Sequence, residues 1–326
     1  MRALTDRERR VNTTIGAAWT LEAVVGEGAT AIVYAARHTQ GRRAAIKILR
    51  RELAADAEIR RRFDREVELG RSVRHPNVID IWGLAQTDDG VPAMLMELLE
   101  GETWAQRSRR EAPTLVTVVR VALRVLDGLS ACHAKGVIHR DVKPSNVFLL
   151  TNSEVKLVDF GVARDRDRSH TSRTIALGTP TYMAPEQARA EKWRQDERTD
   201  VFGVGATLYA VIRGAVPHGG DDDVALDRAA RESPSPLVIA APHIPRSLAS
   251  AVDRAMCRDP SGRWQSARSF RAALEVVEAE LLATDRPSRA AICTTRTMAT
   301  PIVIDEVRES RETLPDVPPA SVPALG

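Results

Sequence analysis

A lysine and a glutamate that could form an internal ion pair lie in the first third of the sequence. Lys47 interrupts an apolar run at 44–49, and it is one of only five lysines among 47 basic residues. In a chain that otherwise uses arginine, a compact ammonium group indicates that its geometry matters. Glu66 falls within the apolar stripe of a helical pattern, so it is predicted to point inward, where a carboxylate needs a cationic partner. Lys47 alone is equally consistent with an edge-strand lysine facing solvent, but an inward Glu66 favours the ion pair.

Two glycines, Gly26 and Gly28, lie between two apolar strand patterns and are predicted at the tip of a β-hairpin. Glycine at such a tip lets backbone amides come close to phosphate oxygens. The signal is weak by itself, because an ordinary hairpin has the same pattern and Ala31 stands where a G-x-G-x-x-G motif has its third glycine. The strand after the turn argues against a Rossmann dinucleotide site, which needs a helix there.

Three longer motifs follow in the second third of the chain. Residues 137–148 read VIHRDVKPSNVF, residues 155–161 read VKLVDFG, and residues 178–186 read GTPTYMAPE. Asp141 precedes Asn146 by five residues and Asp159 by 18. In this order and spacing the motifs are typical of protein kinases. Over about Trp19 to Leu282, the chain resembles the Hanks-type, eukaryotic-like serine/threonine protein kinases, and among them the bacterial members.

The resemblance implies an α+β, two-lobed protein kinase fold. Its N-lobe is expected to be a small antiparallel β-sheet with one helix, and its C-lobe to be larger and helical, which agrees with strand patterns before residue 97 and helical periodicity after residue 101. The predicted divisions are an N-terminal extension (1–18), the N-lobe (19–99), the C-lobe (100–283) and a tail (284–326). Six prolines in the 42 residues from Asp285 predict that this Pro- and Thr-containing tail is flexible.

The resemblance also implies a role for each residue of the catalytic motifs. Asp141 would orient the acceptor hydroxyl and take its proton, and Lys143 would balance charge on the transferring phosphate. Asn146 and Asp159 would supply the hard oxygen ligands that Mg²⁺ prefers, with Mn²⁺ as an alternative ion.

An ATP site follows from the same resemblance. Lys47 would hold the α and β phosphates, with Glu66 as its partner on the helix, and Met96 would be the gatekeeper before the hinge between the lobes. The other implied ATP contacts are of three kinds. Gly26 and Gly28 would form the phosphate loop, and the apolar residues Val33, Ala45 and Phe148 would surround adenine. In the hinge, the carbonyl of Glu97 and the amide of Leu99 would contact the polar edge of the base.

The remaining matches concern structure and regulation. Glu186 would pair with Arg263, Asp200 would cap the turn around the catalytic loop, and Thr179 would belong to the floor that receives the peptide. Arg140 would bind a phosphate on the activation loop, which we expect to be added by autophosphorylation in trans within a transient homodimer. The candidate acceptors are Thr171, Thr174, Ser169 and Ser172, of which the two threonines are favoured.

Three secondary expectations concern packing. Gly70 stands where many kinases have a larger apolar residue, which predicts looser docking of the helix that carries Glu66. His139 is expected to be a packed core residue and not a base. The tryptophans expected to serve packing are Trp82, Trp104, Trp193 and Trp264.

Composition limits the partners and the compartment. The net charge is only +3, and basic clusters are interleaved with acids, so a nucleic-acid partner is not expected. No stretch free of Asp, Glu, Lys and Arg exceeds 13 residues, too few for a membrane span, and no secretory signal is recognised. Three separated cysteines favour neither disulfides nor zinc. We therefore expect a cytoplasmic protein whose partners are protein substrates with Ser/Thr acceptors.

The motifs disfavour three other functions. A pseudokinase that binds ATP as a scaffold usually lacks the lysine, the catalytic aspartate or the metal-binding aspartate. This chain has a match for all three, in Lys47, Asp141 and Asp159. A small-molecule kinase of the aminoglycoside or choline type would lack the Lys143-Pro144 pair and the 178–186 motif. Tyrosine kinase activity is disfavoured by Lys143, where that family has Arg or Ala.

Overall fold

A computed structural model describes residues 10–16, 18–160 and 180–284 of the 326-residue chain. The chain forms two lobes, the smaller built on a β-sheet and the larger on helices. This confirms the fold class expected from the sequence. No helix within the described ranges is long and apolar enough to cross a membrane.

The N-lobe consists of one antiparallel sheet and two helices. Its elements are β1 (Thr14–Ile15), β2 (Trp19–Glu27), β3 (Ala31–His38), β4 (Arg43–Leu49), α1 (Arg51–Ala54), α2 (Ala57–Ser72), β5 (Ile81–Gln86) and β6 (Pro92–Met96). The strand order in the sheet is β1-β2-β3-β4-β6-β5. The one expected helix is α2, and α1 adds a single turn. Strand β1 lies inside the segment predicted as an extension, and its Ile15 is buried in the lobe's core.

Strand register brings the residues predicted to bind ATP to one face of the sheet. Val33 on β3 lies opposite Gly26 on β2 and opposite Lys47 on β4. Ala45, two residues before Lys47, lies opposite Met96 on β6. Because residues directly opposite each other and residues two apart in one strand share a face of a sheet, these five positions form one surface.

Helix α2 packs closely against the sheet. Its N-cap Asp56 accepts hydrogen bonds from the Glu58 and Ile59 amides, and its buried residues recur at helical spacing: Phe63, Glu66, Val67 and Gly70. A Cβ on Gly70 would overlap the Ile81 side chain of β5. The end of the Ile81 side chain fills the space beside Gly70, and the expectation that Gly70 loosens this helix stays a prediction.

The C-lobe contains eight helices and a small sheet within its described residues. The helices are α3 (Trp104–Arg110), α4 (Leu115–His133), α5 (Pro185–Ala188), α6 (Glu197–Arg213), α7 (Asp222–Arg231), α8 (Leu237–Ala240), α9 (Arg246–Ala255) and α10 (Ala267–Thr284). The strands, in spatial order, are β7 (Gly101–Thr103), β8 (Val147–Leu150) and β9 (Val155–Leu157). Short 3₁₀ helices cover Pro144–Asn146, Pro180–Tyr182, Lys192–Arg194 and Pro260–Gly262.

Helix α6 is the centre of the C-lobe. Every residue from Thr199 to Ile212 is buried, and the helix ends at Gly214, whose φ of 71° is the left-handed conformation that favours glycine. Helices α4, α9 and α10 contribute to the same core. Among the tryptophans, Trp104 is buried in this core and Trp264 stacks on Phe270.

Trp82 and Trp193 differ in their surroundings. The Trp82 indole is half-buried and donates a hydrogen bond of 3.0 Å to Asp80 Oδ2. Trp193 is 83% exposed, so the expectation that it is a packing residue is wrong. It lies in a 3₁₀ turn between α5 and α6, and composition alone does not distinguish an indole on such a turn from one in the core.

Candidate active site

The Lys47 ammonium group joins three separate elements of the fold. Its Nζ lies 2.8 Å from Glu66 Oε1 on α2 and 2.9 Å from Asp159 Oδ1, which follows β9 in the C-lobe. The side chains of Lys47 and Glu66 are largely buried, whereas that of Asp159 is 53% exposed. The sheet, the helix and the C-lobe thus meet at one cation, beside a carboxylate that is about half exposed.

Burial and charge act against each other in this cluster. Burial alone would lower the pKa of Lys47, but the Asp159 and Glu66 carboxylates outweigh it and hold that pKa above its ordinary value. The nearby ammonium lowers the pKa of Asp159. Burial raises the pKa of Glu66, and Lys47 only partly offsets this. Lys47 and Asp159 are therefore charged at neutral pH.

A second group of polar residues lies in the catalytic loop before β8. Asn146 Nδ2 donates hydrogen bonds of 2.9 Å to both the backbone carbonyl and Oδ2 of Asp141. Lys143 Nζ lies 3.5 Å from the same Oδ2. The 3₁₀ turn Pro144–Asn146 is what brings Asn146 back onto Asp141. One carboxylate, one ammonium and one amide therefore converge within a single turn.

Asp200 on α6 holds the backbone of this loop. Its buried carboxylate accepts hydrogen bonds from the His139 amide at 2.8 Å and the Arg140 amide at 2.7 Å, and the His133 ring nitrogen Nε2 lies 2.7 Å away. Arg140 has φ of 63°, in the left-handed region that costs a non-glycine residue free energy. Two hydrogen bonds from backbone amides to one buried carboxylate stabilise this uncommon conformation directly before Asp141.

His139 is a fully buried core residue, as expected. Its Nε2 lies 3.2 Å from the Val158 carbonyl, and its ring packs 5.2 Å from that of Phe160. Burial lowers the pKa of this imidazole. Asp159 lies between Val158 and Phe160 in the chain and has φ of 56°. It is the second residue of the site, after Arg140, in the left-handed region.

The hinge after Met96 offers backbone groups to the cleft. Among the described residues, neither the Glu97 carbonyl nor the Leu99 amide makes a backbone hydrogen bond. The Glu97 side chain is engaged: Oε1 accepts from the Asp80 amide and from Lys156 Nζ, each at 2.7 Å. This Lys156 contact was not predicted from the sequence, although the scarcity of lysine in this chain was an available signal.

The hairpin that carries Gly26 and Gly28 does not itself need glycine. A Cβ at Gly26 would meet Val33 at 3.6 Å, and one at Gly28 would meet the Ala31 carbonyl at 3.5 Å, both ordinary contacts. Neither glycine has a positive φ. The absence of side chains thus leaves room above the hairpin for another group, which fits a bound phosphate.

The donor set also fits a magnesium ion. Mg²⁺ is usually bound by one or two protein carboxylates together with water and substrate phosphates. Asp159 and Asn146 supply two oxygen-bearing side chains, the first about half exposed and the second buried beside Asp141. Within the described ranges there is no group of three His, Cys, Asp or Glu residues that could hold a metal ion without such a substrate.

Behind the site, Glu186 and Arg263 form a buried ion pair. Their side chains are 2% and 0% exposed, and two hydrogen bonds of 2.8 Å connect them. Thr199 donates a further hydrogen bond to Glu186. Other candidate residues of the sequence analysis lie outside the described residues: Ser169, Thr171, Ser172, Thr174 and Thr179.

The two lobes, the cation shared by Lys47, Glu66 and Asp159, and the loop around Asp141 together define a protein kinase. A sequence model described as "Protein kinase domain" matches residues 19–277. The chain belongs to the protein kinase family.

Similar proteins include bacterial serine/threonine kinases. The serine/threonine-protein kinase pkn3 of Myxococcus xanthus is 34% identical, over 84% of this chain and 52% of its own length. The serine/threonine-protein kinase PknB of Mycolicibacterium smegmatis is 34% identical, over 77% of this chain and 41% of its own length. The chain thus spans about half the length of these relatives, or less.

A solved structure shows the same fold. The crystal structure of the kinase domain of PknI from Mycobacterium tuberculosis, determined on a mutant form, has a TM-score of 0.65 and 27% sequence identity. The alignment covers 85% of this chain and 100% of that one.

Proposed function

We propose that the chain is an ATP-dependent protein kinase that transfers the γ-phosphate to Ser and Thr hydroxyls of proteins. The observation that carries this proposal is the Lys47 ammonium between Glu66 and Asp159. Phosphoryl transfer depends mainly on positioning and on neutralising charge. The Lys47 ammonium on β4 is held by Glu66 of α2 and contacts the Asp159 carboxylate of the C-lobe, so it is suited to both tasks.

ATP would bind between the lobes. Gly26 and Gly28, which carry no side chains, would let the phosphates approach the backbone of the hairpin, and Lys47 would contact the α and β phosphates while Glu66 holds it in place. The apolar face that Val33 and Ala45 form with Met96, together with Phe148 on β8, would enclose the adenine ring. The Glu97 carbonyl and the Leu99 amide would recognise its polar edge.

The loop around Asp141 would act on the acceptor. Asp141 would orient a serine or threonine hydroxyl and accept its proton, and Lys143 would contact the transferring phosphate. Asn146 and Asp159 would hold Mg²⁺, or Mn²⁺ in its place; when bound, the ion neutralises charge on the phosphates. The depressed pKa of Asp159 supports this role, because only the ionised carboxylate binds a metal ion.

Regulation remains a proposal from the sequence. Thr171, Thr174, Ser169 and Ser172 are the candidate sites of autophosphorylation, through a transient homodimer, with Arg140 as the partner of the new phosphate. The cytoplasm as its location, based on cysteine usage, and the boundaries at residues 18, 99 and 283 also remain predictions. No observation on the described residues favours the pseudokinase alternative.

The proposal is tested with purified protein, ATP labelled on the γ-phosphate, Mg²⁺ and a generic basic protein. We expect label on serine and threonine of the substrate, loss of transfer when a chelator removes the metal, and recovery when Mg²⁺ or Mn²⁺ is restored. No incorporation, or label on tyrosine alone, would contradict the proposal.

A further inference from the structure

The side chain of Gln187 links the segment before α5 to the catalytic loop. Its Oε1 accepts a hydrogen bond of 3.1 Å from the Ala184 amide, which closes the N-terminus of the short helix α5. Its Nε2 donates a hydrogen bond of 2.8 Å to the backbone carbonyl of Arg140. A side chain that only closed the helix would need the first bond and not the second.

The acceptor of this second bond belongs to the peptide unit that carries Asp141. The Arg140 carbonyl and the Asp141 amide form one rigid plane. Gln187 holds the carbonyl side of this plane, and the Asp141 amide lies 3.3 Å from His139 Nδ1 on the other side. The orientation of the plane sets the direction in which the Asp141 side chain leaves the backbone.

The backbone at this point is in an uncommon conformation that needs support. Arg140 has φ of 63°, and Asp200 holds only its amide side. Without a donor to the carbonyl, the following peptide plane would lose one of its restraints and could rotate more readily toward an ordinary conformation. Gln187 therefore completes a restraint that α6 provides only in part.

Gln187 also faces the catalytic loop across a small pocket. Tyr182 and Met183 line this pocket together with Arg140 and Asp141. These two residues belong to the 178–186 motif, which by its resemblance forms the floor for the peptide substrate. The same glutamine is thus bonded to the end of the substrate floor and to the backbone beside Asp141.

We propose that Gln187 is a positioning residue that fixes the peptide plane between Arg140 and Asp141 relative to the substrate floor. This inference rests on the proposed kinase function. Gln187 does not touch the nucleotide site described above, so its loss lowers the rate of transfer to the acceptor and leaves ATP binding unchanged.

The sharpest test is Gln187→Glu. The carboxylate keeps an oxygen for the Ala184 amide and the length of the side chain, but it has no proton to donate to the Arg140 carbonyl. Gln106→Glu is the matched control. Gln106 closes the N-terminus of α3 in the same way, accepting from the Thr103 amide at 2.9 Å, and it lies on the surface.

For Gln187→Glu at pH 8 we expect kcat to fall at least about tenfold, the effect of losing one positioned hydrogen bond, while the KM for ATP stays within about twofold. Gln106→Glu should match the wild type. The ratio of variant to wild-type kcat should rise as pH is lowered toward 5, because the introduced carboxyl group regains a donor when it is protonated. The other titratable groups lining the pocket, Arg140, Asp141, Tyr182 and Asp200, are common to both proteins, so the ratio reports the introduced carboxyl group together with its electrostatic coupling to them.

An unchanged kcat for Gln187→Glu, or a loss that does not diminish at low pH, would overturn the inference. If Gln187→Glu lacks a melting transition, Gln187→Met, which has a side chain of similar length and no donor, is measured instead. A wild-type kcat for Gln187→Met would also overturn the inference. Failure of the kinase proposal is distinct, because the wild-type protein itself would then transfer no phosphate.

Discussion

Glu186 and Arg263, 77 positions apart in sequence, form a two-point salt bridge that is closed to solvent. The Arg263 guanidinium also donates to three backbone carbonyls, those of Cys257, Arg198 and Arg258. These five hydrogen bonds match the five N–H donors of a guanidinium. The pair therefore ties the end of the substrate floor to the loop after α9 without leaving a buried donor unsatisfied.

Removing one partner of this pair should strongly destabilise the fold. Arg263→Ala would leave the Glu186 carboxylate buried without its cation, and we expect a loss of about 3–5 kcal/mol in the free energy of unfolding, measured with denaturant. The control is Arg120→Ala, which breaks the exposed pair with Glu278 and should cost less than about 1 kcal/mol. Equal losses for the two variants would contradict the energetic difference between buried and exposed pairs.

Replacing Lys47 should lower both activity and stability. Lys47→Met should lower phosphate transfer at least about a hundredfold and destabilise the protein by about 3 kcal/mol, because Glu66 loses its partner. Burial raises the pKa of Glu66, so this destabilisation should be larger at pH 8, where the buried carboxylate is ionised, than at pH 5.

The double variant Lys47→Met/Glu66→Gln provides the check. It should recover most of the stability, since no buried charge remains, but none of the activity. Lys135→Met, on an exposed lysine, should affect neither quantity. Recovery of transfer in the double variant would contradict the role proposed for Lys47.

His218 should make the fold sensitive to acid. It is 3% exposed, and burial, followed by the charges of Arg228 and Arg258, lowers its pKa from 6.5 to about 4. A depressed histidine pKa gives stability that is complete above pH 6.5 and is lost as pH falls toward 4, up to about 3 kcal/mol.

Unfolding free energies of wild type, His218→Phe and His243→Phe between pH 7 and 4 test this expectation. His218→Phe should lose less stability over this interval than the wild type, whereas His243→Phe, on an exposed histidine, should follow the wild type. Parallel curves for wild type and His218→Phe would contradict the assignment.

Autophosphorylation should fall between residues 169 and 174. A phosphate adds a charge of about −1.5 to −2 and can form one to three charge-assisted hydrogen bonds with arginine, which Arg140 would supply. Mass spectrometry of the active protein should find phosphate on Thr171 or Thr174. Undiminished activity after all four hydroxyl residues, Ser169, Thr171, Ser172 and Thr174, become alanine would contradict a regulatory role for this segment.

The sequence predicted the fold well where pattern and motif are local. The inward position of Glu66 followed from helical periodicity, and its contact with Lys47 is present in the structure. Strand β1 has only two residues, too few for a periodicity, so its place in the N-lobe sheet could not be read from the chain. The three-residue strands β7 and β9 were missed for the same reason.

Contacts between distant segments were the least predictable part of the site. Lys156 and Gln187 reach partners 59 and 47 positions away, and nothing in their own neighbourhoods in the sequence indicates these partners. Such contacts depend on how the lobes and loops meet in three dimensions. Likewise, Gly70 read in isolation suggested weak packing, while in the structure the end of the Ile81 side chain fills the space beside it.

We expect Asp141 to serve phosphate transfer and not the fold. In Asp141→Asn the amide keeps the shape of the side chain and an oxygen for Asn146, but it loses the base that accepts the hydroxyl proton. The direct measurement compares γ-phosphate transfer to a generic protein substrate by the wild type and by Asp141→Asn, with ATP affinity and melting temperature measured in parallel. We predict at least about a hundredfold loss of transfer, the scale of general base catalysis, with both other quantities unchanged. Transfer by Asp141→Asn at the wild-type rate would contradict the account.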